Sequence, residues 1–240
     1  MVDDLRPLLT ARSLVTGYGK KQVVNGVSLD IAAGEIVALI GHNGAGKSTL
    51  LKALFGLLPI WKGQVEFGRN DLQVPKPREL LRAGISYVPQ GNRVFTDLTV
   101  LENLEMAGVT LLNKGQLKDG IERVLALFPA LKTMMRQRAA TLSGGQKQML
   151  ALSNALILSP RLLLLDEPSL GLARPLVTQV LARVQQINRG SGVAVLMVEQ
   201  KVREALKIAH RVYVLRGGSV SFSGTPQELR DEAVLRGVYM

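Results

Sequence analysis

Residues Gly41-His42-Asn43-Gly44-Ala45-Gly46-Lys47-Ser48 match a glycine, four variable positions and then Gly-Lys-Ser, the spacing of a phosphate-binding loop. The chemistry open to such a segment is the capture of a nucleotide's phosphates. Its glycines let the backbone curl so that successive N–H groups point at phosphate oxygens, and the helix that follows adds positive potential at its N-terminus. Lys47 would reach the β- and γ-phosphates, while Ser48 offers its hydroxyl to Mg²⁺. The candidate phosphate-contacting set is Gly41, Asn43, Gly44, Ala45, Gly46, Lys47, Ser48 and Thr49. A glycine-rich turn with a surface lysine is the plain alternative, but spacing, residue types and flanking elements all agree on the loop.

Asp166 and Glu167 follow the apolar run Leu162-Leu163-Leu164-Leu165, which places two carboxylates where a buried strand leaves its sheet. Open α/β sheets bind their ligands at that edge. Asp166 would hold the hydration shell of Mg²⁺, and Glu167 would orient and polarise a water attacking the γ-phosphate. A third group, Ser143-Gly144-Gly145-Gln146, opens a helix with capping-box spacing. Two glycines in a first helical turn cost about 1 kcal/mol each relative to alanine. That cost makes sense where another molecule must come close to the backbone, so Ser143, Gly144, Gly145 and Gln146 read as a second phosphate site.

The elements that must position these groups are legible in outline. Leu8–Val15 and Gln22–Ile31 mix apolar and polar residues between turns and predict an antiparallel β element. Glu35–Ile40 reads as a strand entering the phosphate loop, and Ser48–Leu57 as the helix leaving it. Residues 161–166 and 193–199 have the near-continuous hydrophobicity of strands buried on both faces of a parallel sheet, with Ile85–Val88 a shorter candidate. From Gln90 to Leu158 the spacing turns helical, over Val100–Thr110, Leu117–Phe128, Leu131–Arg138 and Ser143–Leu158. Gly217-Gly218 predicts a hairpin turn, and Thr225-Pro226 a helix start. The economical architecture is an α/β core with an N-terminal antiparallel β element and an inserted helical subdomain. Within one domain spanning 1–240, residues 1–90 and 159–240 would form the core and 91–158 the helical part.

With 240 residues, 47% of them hydrophobic, the chain can bury a substantial core, which excludes a disordered tail. Zero cysteines exclude disulfides, thiolate metal sites and cysteine nucleophiles. The longest run free of Asp, Glu, Lys and Arg, Gln148–Pro160, falls well short of the roughly 20 residues of a membrane span. Met1-Val2-Asp3-Asp4 lacks the basic start and apolar core of a signal peptide. A net charge of +11 leaves nucleic acid, an anionic membrane face or a polyanionic ligand open, although an aromatic content of 4% argues against a stacking platform for single strands.

The phosphate loop, Leu142-Ser143-Gly144-Gly145-Gln146 and Leu162-Leu163-Leu164-Leu165-Asp166-Glu167-Pro168 occur in the order seen in ATP-binding-cassette (ABC) ATPases, which the chain resembles over essentially its whole length. The resemblance implies ATP and Mg²⁺ as cofactors, with catalytic roles for Glu167, Lys47 and Gln200. It further implies a head-to-tail pairing with a second ABC ATPase subunit, as homodimer or heterodimer, in which Ser143-Gly144-Gly145 of one closes on ATP held by Lys47 of the other. Tyr18 resembles the aromatic residue that stacks on adenine. Gln90, after Tyr87-Val88-Pro89, resembles the glutamine that contacts Mg²⁺ and senses the membrane partner, so the implied metal set is Ser48, Gln90 and Asp166. Ser169-Leu170-Gly171-Leu172 looks like the loop by which each subunit reads the opposite site.

Most relatives end the strand after the glutamate with histidine, whereas this chain has Gln200, which can hydrogen-bond a γ-phosphate but cannot carry a proton. Val198-Glu199-Gln200, together with residues 166–173 and Leu127–Leu131, is similar to one of the two ATPase subunits of branched-chain amino-acid importers. Integral-membrane permeases, an indirectly coupled solute-binding protein, a peripheral place on the cytoplasmic face of the inner membrane and no nucleic-acid partner are what that likeness implies. Differences at Gly91-Asn92-Arg93 and at Arg174 leave urea or short amides as alternative solutes. A lipid or lipopolysaccharide exporter would use the same parts, as would a scaffold ATPase. A DNA-repair ATPase would carry a long coiled coil between phosphate loop and signature, where no heptad pattern occurs.

Overall fold

The computed structural model describes residues 6–68, 70–72, 76–91, 93–109 and 113–229. Expectations touching Met1–Asp4, Asn92 and Thr110 therefore lie outside the described residues. In chain order the elements are β1 (Leu9–Tyr18), β2 (Lys21–Ile31), β3 (Ile36–Gly41), α1 (Lys47–Leu54), β4 (Lys62–Phe67), β5 (Asn70–Asp71), α2 (Pro77–Ala83) and β6 (Ile85–Val88). There follow α3 (Val100–Gly108), α4 (Lys114–Leu127), α5 (Gly144–Leu156), β7 (Leu162–Asp166), α6 (Arg174–Ser191), β8 (Ala194–Val198), α7 (Val202–Ile208), β9 (Arg211–Arg216), β10 (Ser219–Gly224) and α8 (Pro226–Leu229).

β1, β2, β4 and β5 make an antiparallel sheet in the order β2-β1-β4-β5. The second sheet runs β10-β9-β3-β8-β7-β6, with every neighbour parallel except the β9–β10 hairpin. That hairpin turns at Gly217 and Gly218, whose φ values of 54° and 81° are the positive angles a two-residue turn requires.

The apolar runs of β3, β7 and β8 are buried on both faces because each face has its own cover. Val37, Leu39, Leu162, Leu164, Leu196 and Val198 pack with the antiparallel sheet and with Leu50, Leu51 and Leu54 of α1. The intervening Ile36, Ala38, Ile40, Leu163, Leu165, Val195 and Met197 pack with residues of α3, α5, α6 and α7. Such a strand has no solvent side, and so it shows no apolar-polar alternation.

The structure differs from the sequence pattern over Leu131–Arg138 and adds β4, β5, α2, α6 and α7, for which the pattern gave no element. The segment expected as a helix over Leu131–Arg138 forms instead a 3₁₀ turn over Pro129–Met134. Pro129 sits in its first turn, and Phe128, the C-cap of α4 with φ −125°, has already broken the helical path. Residues 174–191, which the sequence pattern leaves without an element, form the long helix α6. Its buried positions Val177, Val180, Leu181, Val184 and Ile187 recur three or four apart, and Pro175 sits in its first turn.

Candidate functional site

The sheet order places β8 between β3 and β7, with β6 on the outer side of β7. Parallel strands deliver their C-terminal ends to one edge. The phosphate loop after β3, Gln200 after β8, Asp166 and Glu167 at the end of β7, and Gln90 after β6 therefore converge, although they are far apart in the chain.

The loop's shape depends on backbone angles that glycine tolerates. Gly46, the N-cap of α1, has φ 102° with no side chain capping the helix, so an anion can address the helix start directly. At Gly41 a Cβ would lie 2.2 Å from the Leu215 carbonyl oxygen of the neighbouring strand, a distance no side chain tolerates. Lys47 is buried, and its Nζ donates to the carbonyl oxygens of Gly41 at 2.8 Å and His42 at 2.9 Å. Burial draws its ammonium below the ordinary lysine range, opposed by the Glu167 and Asp166 carboxylates.

Asp166 accepts from the Ser48 hydroxyl at 2.7 Å on Oδ1 and from the Tyr87 hydroxyl at 3.1 Å on Oδ2. Burial, reinforced by Asp166, pushes the Tyr87 phenol well above its ordinary range, so it stays a neutral donor. Ser48 and Asp166 thus present an all-oxygen donor pair beside the phosphate loop, which fits a hard cation such as Mg²⁺. Glu167 is 7% exposed and adopts φ 50°, a left-handed angle uncommon for a residue with a side chain. Its carboxylate accepts from Gln90 Nε2 at 3.0 Å and from Gln200 Nε2 at 2.9 Å on one oxygen and 2.8 Å on the other. Two neutral amides therefore fix the direction of the carboxylate and leave its charge in place.

Tyr18 ends β1 with an exposed ring, and Lys52 Nζ lies 5.8 Å from the ring centroid. Lys52 stands one helical turn beyond Ser48 on α1, so the aromatic surface lies on the Ser48 side of that helix. Thr49 is buried in the helix start. Asn43 and Gly44 are exposed in the loop, and the Ala45 N–H donates to the His42 carbonyl at 3.1 Å. Ser143 and Gln146 form a reciprocal capping box at the start of α5 and engage each other instead of the carboxylate network. A Cβ at Gly144 would meet only Leu172 at 3.8 Å, and one at Gly145 only Leu176 at 3.8 and 4.0 Å. These are ordinary contacts, so the packing of the described chain does not itself require glycine at either position.

Sequence reasoning missed Tyr87, Glu199 and Lys201. Glu199 was visible as a carboxylate ending an apolar strand, a group that needs partners once buried. Its partners, the backbone N–H and hydroxyl of Ser169 at 3.0 and 2.8 Å, lie thirty residues away in the chain, beyond any local pattern.

Comparison with known proteins agrees with this geometry. Residues 24–170 match the ABC transporter family. The chain is 43% identical to the high-affinity branched-chain amino acid transport ATP-binding protein BraG of Pseudomonas aeruginosa, over 97% of this chain and 99% of that one. It is 39% identical to the probable branched-chain amino acid transport ATP-binding protein LivF of Archaeoglobus fulgidus, over 92% and 94% of the two chains. The crystal structure of the ADP conformation of MJ1267, an ATP-binding cassette of an ABC transporter, superposes with a TM-score of 0.86 at 25% identity, covering 96% of this chain and 98% of that one. With a strand-borne phosphate loop, a carboxylate pair at the same sheet edge and this likeness over nearly its whole length, the chain belongs to the ABC transporter family and is an ATP-binding, ATP-hydrolysing cassette.

Proposed function

We propose that this cassette is the nucleotide-binding subunit of an importer, coupling ATP hydrolysis to uptake of branched-chain amino acids or a related small polar solute through separate membrane permeases. The observation that carries the catalytic part is the Glu167 carboxylate, held by Gln90 and Gln200 beside the phosphate loop. The likeness to the BraG and LivF branched-chain amino acid transport ATP-binding proteins supports the solute class. Among the described residues no helix is long and apolar enough to cross a membrane. The subunit would dock on the permeases at the cytoplasmic face. Residues 1–240 would act as one domain, with 91–158 its helical part.

In the proposed reaction the loop amides and Lys47 hold the β- and γ-phosphates, and Tyr18 stacks on the base. Ser48, Asp166 and Gln90 would hold Mg²⁺, which when bound supplies charge neutralisation across the phosphates. Glu167 orients and polarises the attacking water, so catalysis is positioning and electrostatics with no phosphoenzyme. Gln200 steers Glu167 and would give a neutral hydrogen bond to the γ-phosphate. Such a bond is worth roughly 0.5–1.5 kcal/mol, so Gln200→Ala should lower steady-state turnover about tenfold. A loss as deep as that of Glu167→Gln would give Gln200 a larger role.

Ser143 and Gly144 are exposed and Gly145 half-buried at the start of α5, and we assign all three to the ATP of a second cassette. Ser143→Arg should then abolish hydrolysis while leaving ATP binding to the monomer nearly unchanged. Parallel titration and turnover assays check this, and equal loss of both would overturn the two-chain site. The importer assignment is tested by purifying the chain in mild detergent with its membrane subunits and measuring ATP-dependent uptake of leucine, isoleucine and valine into vesicles. Stimulation of turnover by these solutes supports the assignment, whereas recovery with lipid-exporting subunits overturns it.

A further inference from the structure

Glu199 takes no part in the mechanism above, yet it is one of the most buried charged groups in the chain, 1% exposed at the end of β8. Its carboxylate accepts from the Ser169 N–H at 3.0 Å and from the Ser169 hydroxyl at 2.8 Å. The backbone N–H groups of Gln200 and Lys201 also donate to it. One carboxylate thus ties the loop that follows Glu167 to the strand end that carries Gln200. The tie is doubled, because Lys201 Nζ donates to the Leu172 carbonyl at 2.9 Å. Within the loop, the Leu170 and Leu172 N–H groups close turns onto the Glu167 and Ser169 carbonyls. Leu172 in turn is the side chain nearest the Cβ position of Gly144 at the start of α5.

These contacts form a continuous path. It begins at the Glu167–Gln200 pair, crosses Glu199 and Ser169, follows the loop to Leu172 and ends beside the chain's own signature glycines. Burial pushes the Glu199 carboxyl above its ordinary range, against the four donated bonds that hold it down, so a group costly to bury has been retained with every partner supplied. An apolar residue would fill the space at lower cost but could not join the two segments.

We propose that Glu199 is a positioning residue for hydrolysis: by bonding Ser169 to the N–H groups of Gln200 and Lys201, it makes the loop Ser169–Leu172 and the strand end bearing Gln200 move as one body. The direction of the Glu167 carboxylate is then linked to the placement of the same chain's Gly144. The inference rests on the role given above to Glu167. On that reading, engagement of Gly144 with another cassette's nucleotide is felt at this chain's own hydrolytic carboxylate, through hydrogen bonds within one chain.

The test compares Glu199→Gln, Ser169→Ala and Ser169→Thr with the unaltered protein, measuring kcat, KM for ATP, affinity for a fluorescent ATP analogue and thermal unfolding. Glu199→Gln puts an amide NH₂ among donors, and Ser169→Ala removes one of the donors. Each should lower kcat about tenfold, with nucleotide affinity within about twofold, and the double variant should fall no lower than the worse single one. Ser169→Thr keeps the hydroxyl and should retain kcat. Unchanged kcat in folded Glu199→Gln and Ser169→Ala, a loss confined to KM, or a Ser169→Thr variant as slow as Ser169→Ala would overturn the proposal. Should Glu199→Gln fail to fold, Ser169→Ala and Ser169→Thr decide the matter. Glu167→Gln is assayed alongside: full turnover there would overturn the reading of Glu167 and the proposal with it, whereas loss there with kcat unchanged in the other variants overturns the proposal alone.

Discussion

Glu167→Gln should lower ATP hydrolysis by about 10² or more while ATP still binds, a barrier increase of roughly 2.7 kcal/mol. The substitution keeps the shape of the side chain and removes the charge proposed to polarise the attacking water. It also changes the hydrogen-bond polarity of the site. Gln90 and Gln200 both donate to Glu167, so an amide there meets two donors with one acceptor oxygen instead of two. Nothing in the substitution touches Lys47 or the loop glycines, and nucleotide capture is therefore spared. If hydrolysis is what reopens paired cassettes, the variant should accumulate as a closed dimer with Mg-ATP. Gel filtration with and without nucleotide reads that directly. A variant that stays monomeric and turns over at the unaltered rate would place the attacking water elsewhere.

Lys47→Ala should weaken nucleotide affinity at least tenfold. The lysine is buried and interacts electrostatically with Glu167 and Asp166, so its removal would take the cation from the phosphates and takes a positive charge away from both carboxylates. Charge-assisted hydrogen bonds of this kind contribute roughly 1.5–3 kcal/mol each. The loop is affected too, because Lys47 Nζ bridges the Gly41 and His42 carbonyls, and both oxygens lose that ammonium donor, although His42 still accepts from the Ala45 N–H. Both effects act on binding, which separates this variant from Glu167→Gln. Titration with a fluorescent ATP analogue measures the change, and unaltered affinity would remove the phosphate loop from the mechanism.

The two variants probe parts of the site that became legible at different stages. The phosphate loop, the Ser143–Gln146 cap, the carboxylates ending β7 and the doubly buried strands are local facts: spacing and residue type over a few positions dictate them, and they were readable from the chain. Local reasoning failed where the local signal was shared between two outcomes. Leu131–Arg138 carries helical spacing, but Pro129 and the broken path at Phe128 turn that segment into a 3₁₀ turn. α6 carries apolar spacing as regular as that of α3 and α5, on a helix whose exposed positions are mostly polar but include Leu176 and Ala182.

What the sequence determined by itself was therefore the inventory of groups: a glycine-rich loop of phosphate-binding spacing, a carboxylate pair, a glycine-bearing helix start and the strands that must be buried. Tertiary structure decided the partners. Gln90 and Gln200 meet on Glu167, Tyr87 meets Asp166, and Glu199 meets Ser169 only because the parallel sheet orders its strands β3-β8-β7-β6, which is not their order in the chain. Strand order is set by the packing of both sheet faces at once, a sum over contacts distant in sequence, and hydrogen bonds between strand ends inherit that non-local origin.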